Sequence, residues 1–146
     1  MSTAPAGFPF TVRRPRADEV DAIVDLMNAC TIAAIGVPDA DAEELLRSWR
    51  KSTFDRDRDA WVVEAADGRL AGSVHVELEG SEGDLLIDGY THPAFLGHGI
   101  GSHLSDLAER RAQPHGQTEA HATWWLPEDA GGELPLFFAL RATKPS

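Results

Sequence analysis

The stretch "HPAFLGHGIGSHL" (92–104) sets Gly97, Gly99 and Gly101 at alternate positions just before an apolar-periodic segment. Glycine loses more backbone freedom on folding than any other residue, so three this close signal a sharp bend or a close approach. A glycine-rich turn from strand to helix aims unpaired backbone N–H groups and the positive helix end at one place. That arrangement suits an anion such as a pyrophosphate. Two phosphate loops fit it poorly. A P-loop ends in Gly-Lys-Ser/Thr, and Ile100-Gly101-Ser102 has no lysine. The dinucleotide fingerprint is G-x-G-x-x-G within a βαβ unit, whereas the spacing here is G-x-G-x-G and hairpins precede it.

The elements that hold this turn follow from periodicity. "FTVRRP" (10–15) reads as a strand stopped by Pro15. Val20, Ile23, Val24 and Met27 fall on one helical face, with Asp18 and Glu19 placed for a cap. "GVP" (36–38) breaks the chain, and Asp39 or Asp41 can cap a second helix carrying Leu45, Leu46 and Trp49. "FDRDRD" (54–59) reads as a solvated turn. "AWVVEA" (60–65), "LAGSVHVELEG" (70–80) and "LLIDGYT" (85–91) form a meander, with Asp67-Gly68 as the first hairpin turn. In the second strand Val74, Val76 and Leu78 alternate with Ser73, His75, Glu77 and Glu79, giving one apolar and one polar face. A helix from Ile100 ends at Pro114 and Gly116, "TEAHATWW" (118–125) reads as a strand, and "EDAGGELPLFFAL" as a last short helix. The order is β-α-α-β-β-β-α-β-α, an α/β (α+β) fold with a mixed, mostly antiparallel sheet. Strand, glycine turn, helix and strand over 85–125 make a crossover, so its two strands should run parallel.

Composition bounds the function classes. The 146 residues suffice for one domain, 10–146, behind a disordered leader, 1–9. A net charge of −11 without a basic cluster disfavours nucleic acid. No apolar run reaches a membrane span, and the N-terminus lacks a secretory signal pattern. The single cysteine, Cys30, excludes an internal disulfide and most cysteine-based metal sites, so no metal is expected and a cytoplasmic location is. Cys30 reads as a buried small hydrophobe.

The stretch "GYTHPAFLGHGIGSHL", 89–104, resembles the acetyl-CoA motif of the GNAT superfamily of N-acetyltransferases. In that family a strand meets a proline, then a loop (Arg/Gln)-x-x-Gly-x-(Gly/Ala) opens a helix. Pro93 matches the proline, Gly99 and Gly101 the glycines, Ile100 the residue between them, and Leu104 the first core residue of the helix. The resemblance covers about residues 10–125. It implies acetyl-CoA as co-substrate, its pyrophosphate cradled by amides of the loop Leu96, Gly97, His98, Gly99, Ile100, Gly101 and Ser102. It also implies that backbone at Gly89, Tyr90 and Thr91 pairs with the pantetheine arm as an added strand, where the crossover strands splay. The reaction implied is direct transfer of an acetyl group to a primary amine on a small molecule or peptide.

Such transfer needs a carboxylate or water chain to remove the amine's proton and an acid to protonate the leaving thiolate. Glu77, Glu79, Asp88 and Glu119 are the candidate carboxylates, with Glu79 or Asp88 preferred. Tyr90, the only tyrosine, is the candidate acid. The pattern departs from the family at three places. Leu96 stands at the Arg/Gln position, with His98 and His103 as substitute cations if protonated. In "LFFALRA" Phe137 stands where many members carry the acidic tyrosine. The two further strands usual in the family are not legible before Ser146. These departures carry an alternative: a non-catalytic acyl-CoA-binding or pairing module, able to self-associate as a homodimer through an exposed sheet edge.

Overall fold

The computed structural model describes residues 9–79, 84–112, 119–124 and 137–143, with side chains over 9–77 and 85–111. Strand β1 (Thr11–Arg13) leads to helices α1 (Val20–Ile35), α2 (Ala42–Trp49) and the short α3 (Arg56–Asp59). Strands β2 (Ala60–Glu64), β3 (Leu70–Glu79) and β4 (Asp84–Thr91) follow, then a 3-10 turn (Pro93–Phe95) and α4 (Ile100–Ala112). Strands β5 (Glu119–Trp124) and β6 (Phe137–Thr143) complete one six-stranded sheet in the order β1-β2-β3-β4-β6-β5.

The helices and meander form where periodicity placed them, because their apolar stripes find partners on the two sheet faces. Alternation in β3 sends Val74 and Val76 to one face, where Leu85, Ile87, Ile100, Leu104 and Leu107 complete a core beneath α4. Val62 and Leu70 meet Ile23, Val24, Leu26 and Met27 of α1 on the other. Ile100 and Leu104 are 1% and 0% exposed, so each contributes about 1.5–3 kcal/mol by burial. Gly72 permits that proximity: a Cβ there would lie 2.7 Å from Ile100 Cγ2 and 3.1 Å from the Tyr90 carbonyl oxygen.

Three expectations are corrected. Phe137–Thr143, expected within a short helix, is a strand; β4 and β5 each need a hydrogen-bonding neighbour, and an aromatic-rich run supplies it. The crossover strands β4 and β5 do run parallel, since each is antiparallel to β6, yet β6 lies between them. Residues 56–59 form a helical turn, nucleated by the Asp55 carboxylate accepting from the Asp57 amide. In addition, the polar face of β3 is covered at its start. Ser73 and His75 are 0% and 3% exposed, because α1 and α2 cover that face.

Among the described residues no helix is long and apolar enough to cross a membrane, and no cluster of acidic, histidine or cysteine side chains could hold a metal ion.

Candidate active site

Two features meet at β4. At its C-terminal end His92 Nδ1 accepts from the Ala94 amide at 3.0 Å, which sets the 3-10 turn and delivers the chain to the glycine loop. Leu96 is exposed in an extended conformation, and Gly97 and Gly99 have φ of 86° and 78°. Space is not the constraint at Gly99, since nothing lies within 4 Å of a Cβ built there. The left-handed backbone is the constraint, and glycine adopts it without steric cost. The Gly99 carbonyl accepts from the His103 amide at 3.1 Å and opens α4. The amides in the first turn of such a helix lack intrahelical acceptors, and here the loop leading into them is solvent-facing. Ile100 and Gly101 are buried while Ser102 is exposed. The loop thus has the backbone shape of an anion cradle. His98 is exposed, its ring 5.5 Å from that of Phe10. His103 does not supply the cation absent at Leu96: burial pushes its imidazole below the ordinary histidine range.

On the face opposite α4, the side chains of β3 and β4 floor a cleft of about 400 Å³ walled by α1, residues 39–41 and α2. Asp88 and Tyr90 from β4 and His75 and Glu77 from β3 contribute the floor. The register explains this: His75 pairs with Asp88 and Ser73 with Tyr90, so all project to one side. Glu77 lies 3.9 Å from Lys51 Nζ. Burial raises the Tyr90 phenol well above its usual range, reinforced by the nearby negative charge of Asp88, so it keeps its proton at neutral pH. Asp88 and Tyr90 therefore share one cleft on the strand that feeds the glycine loop. The side chains of Glu79 and Glu119 lie outside the described residues; their backbones sit at the end of β3 and the start of β5.

Beside the loop, Gly89 and Tyr90 are paired with Phe138 and Phe137 of β6. Thr91 lies one residue past the last of these pairs, and its carbonyl accepts from Cys30 Sγ at 3.1 Å. Cys30 is fully buried, and burial pushes its thiol up to about 12, which leaves it a packing group and no nucleophile.

A family model described as "Acetyltransferase (GNAT) family" matches residues 20–129, most of the chain and both features. The chain belongs to the GNAT acetyltransferase family. A GCN5-related N-acetyltransferase from Sphaerobacter thermophilus is similar at 36% identity and a TM-score of 0.66, over 77% of this chain and 34% of that one. The chain thus spans about a third of that relative's length. A GNAT family acetyltransferase from Brucella melitensis, solved with acetyl-CoA, shares the fold at 17% identity and a TM-score of 0.58, over 95% and 91% of the two chains. A GCN5-related N-acetyltransferase from Kribbella flavida shares it at 15% identity and 0.57, over 92% and 98%. Among curated proteins none matches this chain.

Sequence reasoning passed over part of the cleft. The sequence offers Asp39 or Asp41 as the helix cap, yet Asp41, at the N-cap position of α2, makes no capping hydrogen bond and both line the cleft. Trp49, placed with Leu45 and Leu46 on one side of the second helix, donates its indole N–H to His75 Nε2 at 3.2 Å. The readable signal was the unbroken polar face of β3, which a covering helix turns inward.

Proposed function

We propose that this GNAT-family protein transfers an acetyl group from acetyl-CoA directly to a primary amine held in the cleft. The observation that carries the reading is that one strand, β4, places Asp88 and Tyr90 in the cleft and ends in the glycine loop. Acetyl-CoA supplies the thioester. The loop amides from Gly97 to Ser102 face its pyrophosphate, with backbone donors in place of the side chain that Leu96 lacks. Asp88, or a water on it, takes a proton from the acceptor ammonium, and the freed nitrogen forms the C–N bond as the C–S bond breaks. The acylated nitrogen sheds its second proton to solvent, and Tyr90 gives its phenolic proton to the departing sulfur and regains one from solvent. Glu79 is a further candidate base. The reading places the protein in the cytoplasm, with no nucleic-acid or membrane partner and with the β5 edge of the sheet as the surface through which two copies would pair.

Titration of acetyl-CoA against melting temperature tests it. Binding to the folded state alone stabilises by about 2.7 kcal/mol at a hundredfold excess over Kd, so a rise of several degrees is expected, abolished in Gly99→Trp. A well-folded protein with no shift refutes the coenzyme site.

One observation favours a second reading, a coenzyme-binding or pairing module without turnover. Strand β6 takes the edge of β4 at Gly89 and Tyr90, where a pantetheine arm would pair. Coenzyme binding without thiol release across a broad panel of amines selects this reading.

A further inference from the structure

A second cavity, of about 210 Å³, opens at the far end of α4 from the glycine loop. Arg111 in its wall lies in the last turn of α4, about 16 Å along the helix from Ile100. Val76 and Leu85 floor it from the core beneath α4, and Ser52, Thr53 and Arg58 form an exposed rim. It shares no lining residue with the cleft or the glycine loop, so it lies outside the acyl-transfer site.

Asp59, 1% exposed, is the one carboxylate among the described lining residues, and its acceptor capacity is spent. Oδ1 accepts from Arg58 Nε at 3.0 Å and from Arg111 Nε at 2.6 Å. Oδ2 accepts from Arg58 Nη2 at 2.8 Å and from the Asp55 amide at 3.0 Å. A carboxylate offers about four lone-pair sites, and four donors fill them. Two guanidiniums thus share one negative charge. In a chain of net charge −11 this lining is net positive, whereas carboxylates outnumber cations around the cleft.

Arg58 alone would serve to neutralise Asp59, because its paired donors already make a bidentate contact. Arg111 spends only Nε there. Its Nη1 and Nη2 donate to nothing among the described residues, although the side chain is only 11% exposed. A cation largely withdrawn from water with its outer donors unspent is costly unless an acceptor meets it. The planar fork matches two oxygens of one oxyanion. The Ser52 and Thr53 hydroxyls at the rim make no hydrogen bond among the described residues and add two donors.

We infer that this cavity binds a tetrahedral oxyanion, phosphate or sulfate, free or as an ester. The Arg111 fork is its anchor, and the rim hydroxyls and Arg58 complete the contact. Bound there, the anion ties the segment after α2 to the last turn of α4.

Calorimetric titration with inorganic phosphate, at an ionic strength held constant with sodium chloride, tests the site. Phosphate should bind the wild type and Gly99→Trp, whose glycine loop is blocked, equally well, and saturating acetyl-CoA should not displace it. Ser52→Glu sets a carboxylate at the exposed rim, leaves the Asp59 bonds in place and should weaken phosphate at least tenfold. Arg111→Lys keeps a cation for Asp59 but removes the fork, and should weaken it severalfold. The melting temperature without phosphate checks the fold of each variant, and Ser52→Glu decides alone if Arg111→Lys does not fold. Sulfate should bind within a few fold of phosphate. Tighter binding of glycerol 3-phosphate than of phosphate marks an ester as the preferred form, and weaker binding marks the free ion; both uphold the site. No phosphate binding above the chloride control overturns it. So does binding that is lost in Gly99→Trp and kept in Ser52→Glu.

Discussion

At the scale of single residues, two buried titratable groups set the response to acid with opposite chemistry. Burial holds the His75 imidazole down to about 4, against an ordinary value near 6.5. Its folded pKa is depressed, so the unfolded chain binds the proton first and stability falls from about pH 6.5 down to about 4, by an amount on the order of 3 kcal/mol in all. Glu19 takes over below that. Hydrogen bonds from Arg13, at 2.7 and 2.8 Å, hold its carboxyl at about 2. The stabilisation it contributes is present above the unfolded carboxyl value near 4.3 and is lost as pH falls toward 2. Urea midpoints from pH 7 to 4.5 should therefore decline in the wild type and decline less steeply in His75→Leu, where the His92 and His103 imidazoles, also held low by burial, supply the remaining slope, at a lower overall stability. An equal slope in both would remove His75 as the source. From the sequence, both residues were visible only as polar letters. His75 sits on the polar face of a strand, and Glu19 at a cap position where its side chain makes no capping bond.

At the scale of elements, the tightest junction is α4 on β3. Gly72 has ordinary backbone geometry, so its role there is spatial and not conformational. Gly72→Ala would drive a methyl into Ile100 Cγ2 and toward the Tyr90 carbonyl, and Ile100 is 1% exposed with no room to retreat. Overpacking of this kind costs about 1–3 kcal/mol, read as a melting temperature lower by several degrees. An unchanged melting temperature would mean that α4 can slide, and the first turn of α4 carries the loop amides. Element types were largely legible because period 3.6 and period 2 are properties of the local chain. Helices α1, α2 and α4 and strands β1 to β5 sit where their apolar spacing placed them. The expected last helix failed for a non-local reason: Phe137–Thr143 pairs over its length with Leu85–Tyr90 and Glu119–Trp124. Two sheet edges outweigh a weak local preference.

At the scale of the whole molecule, the position of β6 bears on the proposed reaction. A pantetheine arm that pairs with β4 at Gly89 and Tyr90 has to take the place that Phe138 and Phe137 hold. If acetyl-CoA binds in that way, amide exchange across Phe137–Thr143 should quicken severalfold in its presence while β2 and β3 remain protected. Unchanged exchange with the coenzyme bound would show that its arm runs along another path, with Thr91 as the nearest β4 position beyond the β6 pairs. The overall negative charge belongs to this scale as well. At the cleft it is gathered on a lip whose backbone, at Asp39 and Ala40, is held by Asn28.

By itself the sequence determined what depends on neighbours along the chain: the apolar stripes, the glycine positions that permit left-handed backbone, and the proline-to-glycine spacing that marks the family. The bend at Gly97 and Gly99, both at positive φ, and the start of α4 at Ile100 are of this kind. Tertiary structure alone decided which polar residues face one another. The register of β3 against β4 set His75 opposite Asp88 and Ser73 opposite Tyr90; the packing of α1 and α2 turned that polar face into a cleft; and β6 chose its neighbours among open edges. The physical reason is common to all three. Pairing and burial join segments tens of residues apart, and no periodicity within either segment records the partner it will meet.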